Sequence, residues 1–353
     1  MNKKPNEASQ INSKANAVCF VAGRSGGHLI PALTLAKKLK DKNSKVDINF
    51  FTTNTRLDQK ILNENNFIDT FIFLNLKNIP YKRLLRYPIF FTNLTISFFK
   101  SFFRFIKKRP QKVISMGGYI SIPVCLAAFI LRVPIELFEL NSSPGKAIKF
   151  LSPFASTIYI CFKKAAENLP KKKCKLRDYP IRFVPSQINV RDTKEKCTIL
   201  VLGGSQGSIE INSLVKKWIL KNKQLNKQIS IVHQTGANDT TDWRNFYNQL
   251  DIPAVSFDFK KNIKKYYHDS DIVICRAGAG TLFETVFFNK KCITIPLETS
   301  TTAHQVDNAR EISKLYPKLV TMIRKETIDK NVDAFFDQLN SMISKKIKKT
   351  FDK

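Results

Sequence analysis

Acidic residues are in short supply. The 353-residue chain carries 28 Asp and Glu against 59 Lys and Arg, a net charge of +31. Such a surface selects polyanions: nucleic acid, an acidic membrane face or a phosphorylated substrate. Glycine is sparse at 12 residues, and tryptophan numbers 2 against 28 phenylalanines. Phe- and Lys-rich, glycine-poor usage is also what an AT-rich genome yields, so part of the charge can be drift. The hydrophobic share of 43% and the charged share of 25% exclude disorder, collagen and coiled coil for most of the chain. The seven cysteines (19, 125, 161, 174, 197, 275 and 292) form no CxxC pair. Most lie in apolar runs such as AVCFVA and DIVIC, a pattern of reduced thiols in a cytosolic compartment. The four histidines (28, 233, 268 and 304) lack metal-ligand spacing. No uninterrupted apolar run reaches the roughly 20 residues of a spanning helix; the nearest, residues 120–131, stops at Arg132 and reads as a buried helix. The N-terminal MNKKPNEASQINSKAN is polar throughout. No signal peptide is therefore expected, and residues 1–16 are expected to form a disordered tail.

What the chain does contain is an alternation of short apolar runs with helical patterns. Strands are expected at 17–22, 46–51, 113–115, 135–138 and 155–161, with an apolar segment at 67–74 and helices at 28–40 and 120–131. After a polar stretch at 186–197 the pattern restarts. Strands are expected at 198–202, 229–233, 254–257, 272–275 and 292–295, and helices at 208–221, 240–250, 281–288 and 304–314. Continuous apolar strands alternating with helices imply βαβ units and parallel sheets. Two such series imply an α/β protein of two Rossmann-like domains, residues 17–185 and 198–325, whose parallel sheets face each other across a cleft. Residues 326–353 form a basic helical pattern expected to pack on the outside.

Each series opens with a strand, a glycine turn and a helix: Gly23–His28 (GRSGGH) and Gly203–Gly207 (GGSQG). A third turn, Arg276-Ala277-Gly278-Ala279-Gly280-Thr281, precedes a helix carrying Glu284. Glycine lets backbone approach a ligand, and the helix N-terminus beyond offers free N–H groups to phosphate. Neither opening turn spells GxGxxG, and Phe51-Thr52-Thr53-Asn54 stands where a dinucleotide fold needs an acid, which argues against NAD. A carboxylate such as Glu284 at the ligand edge can accept from a ribose diol.

GRSGGHLIPA, SMGGYISIP (115–123), Glu139-Leu140-Asn141, Tyr179-Pro180-Ile181-Arg182, GGSQG, CRAGAGTLFE (275–284) and HQVDNA (304–309) occur in the order and spacing of the MurG family. The chain resembles that family over about residues 17–315. The resemblance implies a GT-B glycosyltransferase of peptidoglycan synthesis, and so of cell wall biogenesis, cell shape and division. It would move N-acetylglucosamine from UDP-GlcNAc to undecaprenyl-pyrophosphoryl-MurNAc-pentapeptide (lipid I). The lipid acceptor would sit against residues 17–185 and the donor in 198–325. Carried over by motif, Ser25, Gly26 and Gly27 would touch the donor from the first domain, and Asn141 would face the acetamido sugar. Arg182 and Ser205 would hold the diphosphate. The loop 279–284, with Ala279, Gly280 and Thr281, would hold the nucleoside, Glu284 its ribose, and Gln305 the sugar hydroxyls. Lys260 falls where the family makes a backbone contact to uracil. Gly118 and Tyr119 belong to the acceptor side. The sequence departs from the family at Phe138 and Leu140, where the usual run is His-Glu-Gln-Asn, and at Arg24-Ser25, where Gly-Thr is usual.

Inverting transfer needs a base at the attacking hydroxyl and positive potential at the leaving diphosphate. His28, at the start of a helix whose dipole disfavours imidazolium, is the first candidate base; capping the helix or positioning phosphate is its other reading. Glu139 is the second candidate, as base or orienter. Arg182 and the helix after Gly207 supply the potential, so no metal or other cofactor is expected. Asp269-Ser270-Asp271 reads as a solvated turn at the wrong end of a strand.

From Thr70 to Ile135 the chain holds no acid and eleven Lys or Arg. Within it, residues 88–108 place Phe91, Leu94, Phe98, Phe102 and Phe105 on one helical face beside Lys100, Arg104, Lys107 and Lys108. A basic amphipathic helix of this kind reads as lying in an anionic membrane interface; the resemblance implies that this is the cytoplasmic face of the inner membrane, with the chain a peripheral protein. A core helix is the other reading. No RNA- or DNA-binding signature occurs, so nucleic acid is not an expected partner. Two other functions stay open: a related GT-B enzyme with another lipid acceptor, and a non-catalytic nucleotide-sugar-binding protein.

Overall fold

The computed structural model describes residues 16–62, 65–76, 85, 87–184, 196–299 and 302–351. The expected tail at 1–16 and linker at 186–197 lie outside them except for Asn16, Lys196 and Cys197. The first unit runs β1 (Ala17–Val21), α1 (Gly26–Lys42), β2 (Asp47–Thr52), α2 (Arg56–Leu62), β3 (Thr70–Phe73), α3 (Tyr87–Lys107), β4 (Lys112–Ser115), α4 (Ser121–Ile130), β5 (Ile135–Glu139), α5 (Lys146–Leu151), β6 (Thr157–Ile160) and β7 (Cys174–Leu176). The second runs β8 (Cys197–Leu202), α6 (Ile209–Lys221), β9 (Ile229–Gln234), α7 (Trp243–Asn248), β10 (Ala254–Phe257), α8 (Lys264–Asp269), β11 (Ile272–Cys275), α9 (Ala279–Phe287), β12 (Lys291–Thr294), α10 (His304–Leu315), β13 (Val320–Met322), α11 (Lys325–Lys330) and α12 (Asp333–Phe351).

The sheets are parallel, ordered β3-β2-β1-β4-β5-β6-β7 and β10-β9-β8-β11-β12-β13. Helices cover both faces, so the central strands β1 (AVCFV) and β8 (CTILVL) are buried at every residue and read as unbroken apolar runs. The strand order reverses between β1 and β4, and again between β8 and β11. Loops after these strands diverge to opposite sides of the sheet and leave a crevice at the carboxyl ends. All three glycine turns sit at these two switch points.

The segment 179–183 is tucked under the second unit. Tyr179 stacks on Phe283 of α9 with centroids 4.9 Å apart, and Phe183 meets Tyr267 and Phe288 edge-on. The basic tail is not an outer appendage. Helix α12 buries Phe335, Phe336, Leu339 and Ile343 in the core of the second sheet, and Trp218 Nε1 of α6 donates to Asn340 Oδ1 at 2.9 Å. The apolar positions at i, i+1, i+4 and i+8 make one face of a helix, which the tail's lysines obscure in the sequence. Asp269-Ser270-Asp271 is not a solvated turn either: Ser270 is buried, and Asp271 accepts the Thr198 N–H at 2.9 Å and pairs with Lys346 of α12 at 3.1 Å.

Candidate active site

The site starts with backbone packed against backbone. Gly207 and Gly236 both lie in the left-handed region, at φ +78° and +87°. A Cβ added at Gly207 would fall 2.3 Å from Thr235 O, and one at Gly236 2.4 Å from Gln206 O. The turn after β8 therefore lies directly on the turn after β9, and α6 starts beneath them. Gly236 escaped the sequence reading because it stands alone after β9, with no second glycine to mark a motif. Across the cleft, a Cβ on Gly26 would come within 3.2 Å of Ser205 Cβ. The GRSGGH and GGSQG turns thus meet, with Ser25 as N-cap residue of α1 and Gly27 in its first turn.

His28 follows, half-buried on that first turn. Burial, and secondarily the charge of His304, lower its pKa from 6.5 to about 4. The ring is neutral at physiological pH and able to accept a proton. Gly118 (φ +78°) lies beside it, a Cβ there standing 3.6 Å from His28 Nδ1, so the turn carrying Gly118 and Tyr119 borders the ring. His304, whose pKa is also lowered by burial, starts α10 in the second unit.

Glu139 ends β5, 3% exposed. Its Oε1 accepts from Asn141 N (2.8 Å) and Asn141 Nδ2 (3.2 Å), and its Oε2 accepts from Gly145 N (2.8 Å). Burial pushes the carboxyl up to about 7 even against these donors. With both oxygens engaged by its own loop, Glu139 fits the role of orienter better than that of base. It fixes Asn141, whose Oδ1 accepts from Asn308 Nδ2 of α10 at 3.1 Å.

The residues carried over for the diphosphate and the ribose touch each other. Arg182 Nε donates to Glu284 Oε1 at 2.8 Å, Nη2 to Oε2 at 3.2 Å, and Nη1 to Lys261 O at 2.6 Å. This is a bidentate guanidinium–carboxylate pair, nearly buried. Ala279, Gly280 and Thr281 are not a loop: α9 begins at Ala279, with Gly278 as its N-cap residue. Glu284 therefore lies on the second helical turn, not the first. Gln305 lies in the first turn of α10, its Oε1 accepting the Leu297 N–H at 3.0 Å, which leaves its N–H groups to donate. Lys260 turns outward onto Tyr266 Oη (2.6 Å) and the Phe257 ring. Arg276, buried, donates to Ser208 Oγ at 3.0 Å and pairs with Glu210, joining the third turn to the start of α6. His233 is a core residue held by Tyr247 Oη and Asn212 Oδ1.

Residues 18–160 match the glycosyltransferase family 28 N-terminal domain and residues 198–351 its C-terminal domain. Proteins named UDP-N-acetylglucosamine--N-acetylmuramyl-(pentapeptide) pyrophosphoryl-undecaprenol N-acetylglucosamine transferase are similar along most of the chain. The one from Thermosipho africanus is 31% identical over 338 residues, 92% of each chain. The one from Thermodesulfovibrio yellowstonii is 32% identical over 302 residues, 84% of this chain and 82% of its own. The chain belongs to the MurG family. Acinetobacter baumannii MurG has the same fold, with a TM-score of 0.69 at 22% identity over 95% of this chain and 94% of that one. The UDP-GlcNAc 2-epimerase of Neisseria meningitidis shares only the two-domain GT-B fold, at a TM-score of 0.60 and 15% identity over 95% and 94%.

The departures from the MurG pattern have local explanations. Phe138 and Leu140 are buried in the core, Phe138 packing on Tyr159 with centroids 4.7 Å apart. Both are 3% exposed, so apolar packing accounts for the two substitutions. Arg24 holds φ +65°, a conformation that favours glycine. Its N–H donates to the buried Asp58 at 2.8 Å and its guanidinium to Leu76 O at 2.5 Å, away from the second unit.

The state of Glu139 can be read from stability. Its folded pKa is raised from 4.5 to about 7, so the native protein holds this proton more tightly than the unfolded chain. That contribution is complete below the unfolded value and is lost as pH rises through about 7. Relative to Glu139→Gln, the parent should lose on the order of 3 kcal/mol of unfolding free energy between pH 4.5 and 8. Parallel curves for the two proteins in denaturant titrations would mean that the carboxyl is not shifted.

Proposed function

We propose that this MurG-family glycosyltransferase transfers N-acetylglucosamine from UDP-GlcNAc to undecaprenyl-pyrophosphoryl-MurNAc-pentapeptide, giving lipid II, with inversion at the anomeric carbon. The observation that carries the reading is the meeting of the two glycine turns, with neutral His28 on one side and Arg182 with Glu284 on the other. The acceptor 4-hydroxyl attacks the anomeric carbon and passes its proton to the His28 imidazole. The bond from that carbon to the β-phosphate oxygen breaks, and UDP leaves with the electron pair. Arg182 and the N–H groups at the start of α6 meet the charge that develops on the diphosphate. The ribose diol and the diphosphate share the Arg182–Glu284 pair, the diol donating to the carboxylate. Gln305 donates to the sugar hydroxyls.

The same reading places the enzyme on the cytoplasmic face of the bacterial membrane as a peripheral protein, docked through α3. This helix is long and apolar enough to cross a membrane, by length and composition alone, though no single apolar run of that length stands in the sequence. Its buried residues are Ser97, Ser101 and Phe105, with Leu94, Phe98 and Phe102 packed inward. The opposite face leaves Ile89, Ile96, Phe99, Phe103 and Ile106 exposed; of the face expected to meet lipid, only Phe91 is exposed, and Leu94, Phe98, Phe102 and Phe105 pack against the domain instead. The cations are partly committed to the protein. Lys100 Nζ donates to Phe73 O at 2.8 Å, Arg104 to Asn49 Oδ1 at 2.9 Å, and Lys108 pairs with Asp47. Lys107 joins Lys100 and Arg104 beside Phe71, Phe73 and Phe103 around a groove of about 470 Å³. Apolar insertion rather than charge is thus the larger part of this docking.

Labelled sugar from UDP-GlcNAc should appear on lipid I in detergent, and His28→Ala should lower kcat by about 10²–10⁴ if the imidazole is the base; label that never reaches lipid I would overturn the acceptor. By calorimetry, Glu284→Ala should weaken UDP and UDP-GlcNAc alike by about ten-fold or more, for a lost charged hydrogen bond. Gln305→Ala should weaken only UDP-GlcNAc, and an equal loss of UDP would move Gln305 to the nucleotide. Phe99→Ser with Phe103→Ser should release the protein from anionic vesicles by about ten-fold or more, since burying one Phe is worth ~1.5–3 kcal/mol. Unchanged cosedimentation would show that α3 does not insert.

A further inference from the structure

Two consecutive residues of α10, Asp307 and Asn308, bond three consecutive residues of the opposite unit. Asn308 is 0% exposed. Its Oδ1 accepts the Ser142 N–H at 2.8 Å, and its Nδ2 donates to Asn141 Oδ1 at 3.1 Å and to Ala277 O at 3.3 Å. Asp307 adds an outer layer, accepting from Ser143 Oγ at 2.5 Å and from Lys164 Nζ at 3.0 Å. One amide therefore ties together three things: the loop after β5, the turn that leads into α9, the helix of Glu284, and the helix whose first turn carries Gln305. Through Asn141 the connection reaches Glu139. A buried amide bonded on both sides has one orientation, and removing it strands the Ser142 N–H and the Ala277 carbonyl together.

We infer that Asn308 is a positioning residue: it joins the two domains at the cleft and sets Asn141 and the loop 139–145 against whatever the second domain holds, without itself touching the substrate. The inference rests on the transfer reading above for its kinetic consequence, but the joint can be read without turnover.

Three variants of the full-length protein test it. Asn308→Ala should cut kcat by about 10–100-fold, the scale of a displacement of about 1 Å at a reacting centre, while UDP affinity stays within about two-fold by calorimetry. In hydrogen exchange, the peptide spanning 140–146 should lose about ten-fold or more of its protection, with the β8 and β9 peptides unchanged. Asn308→Asp keeps the acceptor for Ser142 and loses both donated bonds. It should retain the amide protection and still lose rate. Asp307→Ala, at a partly exposed position, should fold and show a smaller loss of the same pattern, and it decides the matter if Asn308→Ala does not fold. Parent-like kcat and exchange in Asn308→Ala, or in Asp307→Ala standing in for it, would overturn the inference. So would a fall in UDP affinity matching the fall in rate, which would make Asn308 a ligand. Should the parent itself not transfer sugar to lipid I, the function fails while the exchange measurement still judges the joint.

Discussion

Backbone contact at the carboxyl ends of β8 and β9 is the constraint on which the cleft depends. Gly207 and Gly236 are so close that neither tolerates a Cβ, and both need a left-handed φ. That contact lowers the GGSQG turn until the first turn of α6 faces the opposite domain. Gly26, itself against Ser205, brings α1 and His28 to the same place. A side chain at any of these points would open a gap the width of a methyl group or more. Helix N-termini lose their effect on an anion within the first turn.

The charge of the protein is arranged differently inside and outside. In the cleft, cations are matched: Arg182 by Glu284, Arg276 by Glu210, and Lys164 by Asp307. The two histidines are held neutral by burial. Matching keeps the site intact despite a net charge of +31, because an unpaired buried charge costs several kcal/mol. The excess cation lies outward, and the acid-free stretch from Thr70 to Ile135 encloses α3. There, two apolar faces share one helix, one packed inward and one exposed. A soluble surface rarely shows such a patch without an interaction to cover it.

The second domain contributes to the chemistry partly through the first. Asn141 is held by Glu139 on one side and by Asn308 on the other, so each end of its amide is bonded to a different domain. Glu139 has a pKa raised by burial, as a general base would, and three N–H donors on its oxygens, as an orienter would. Geometry decides, because every acceptor direction used is spent on its own loop.

The sequence alone determined the α/β class, the two series of parallel strands, the three glycine turns and the family, because buried strands and turn glycines are local signals. The family motifs add the expectation that Ser25, Gly26, Gly27, His28, Arg182, Ser205, Glu284 and Gln305 share one cleft. Strands β7 and β13, of three residues each, were too short to carry a pattern. The apolar face of α12 is hidden among lysines, and the helical pattern shows only from 281, two residues past the start of α9. Only the tertiary structure decided which face of α3 is exposed, that Arg182 and Glu284 are partners 102 residues apart, and that Asn308 joins the domains across 166 residues. These depend on how two sheets dock, and the energy of docking is carried by pairs far apart in the chain, which no local periodicity records.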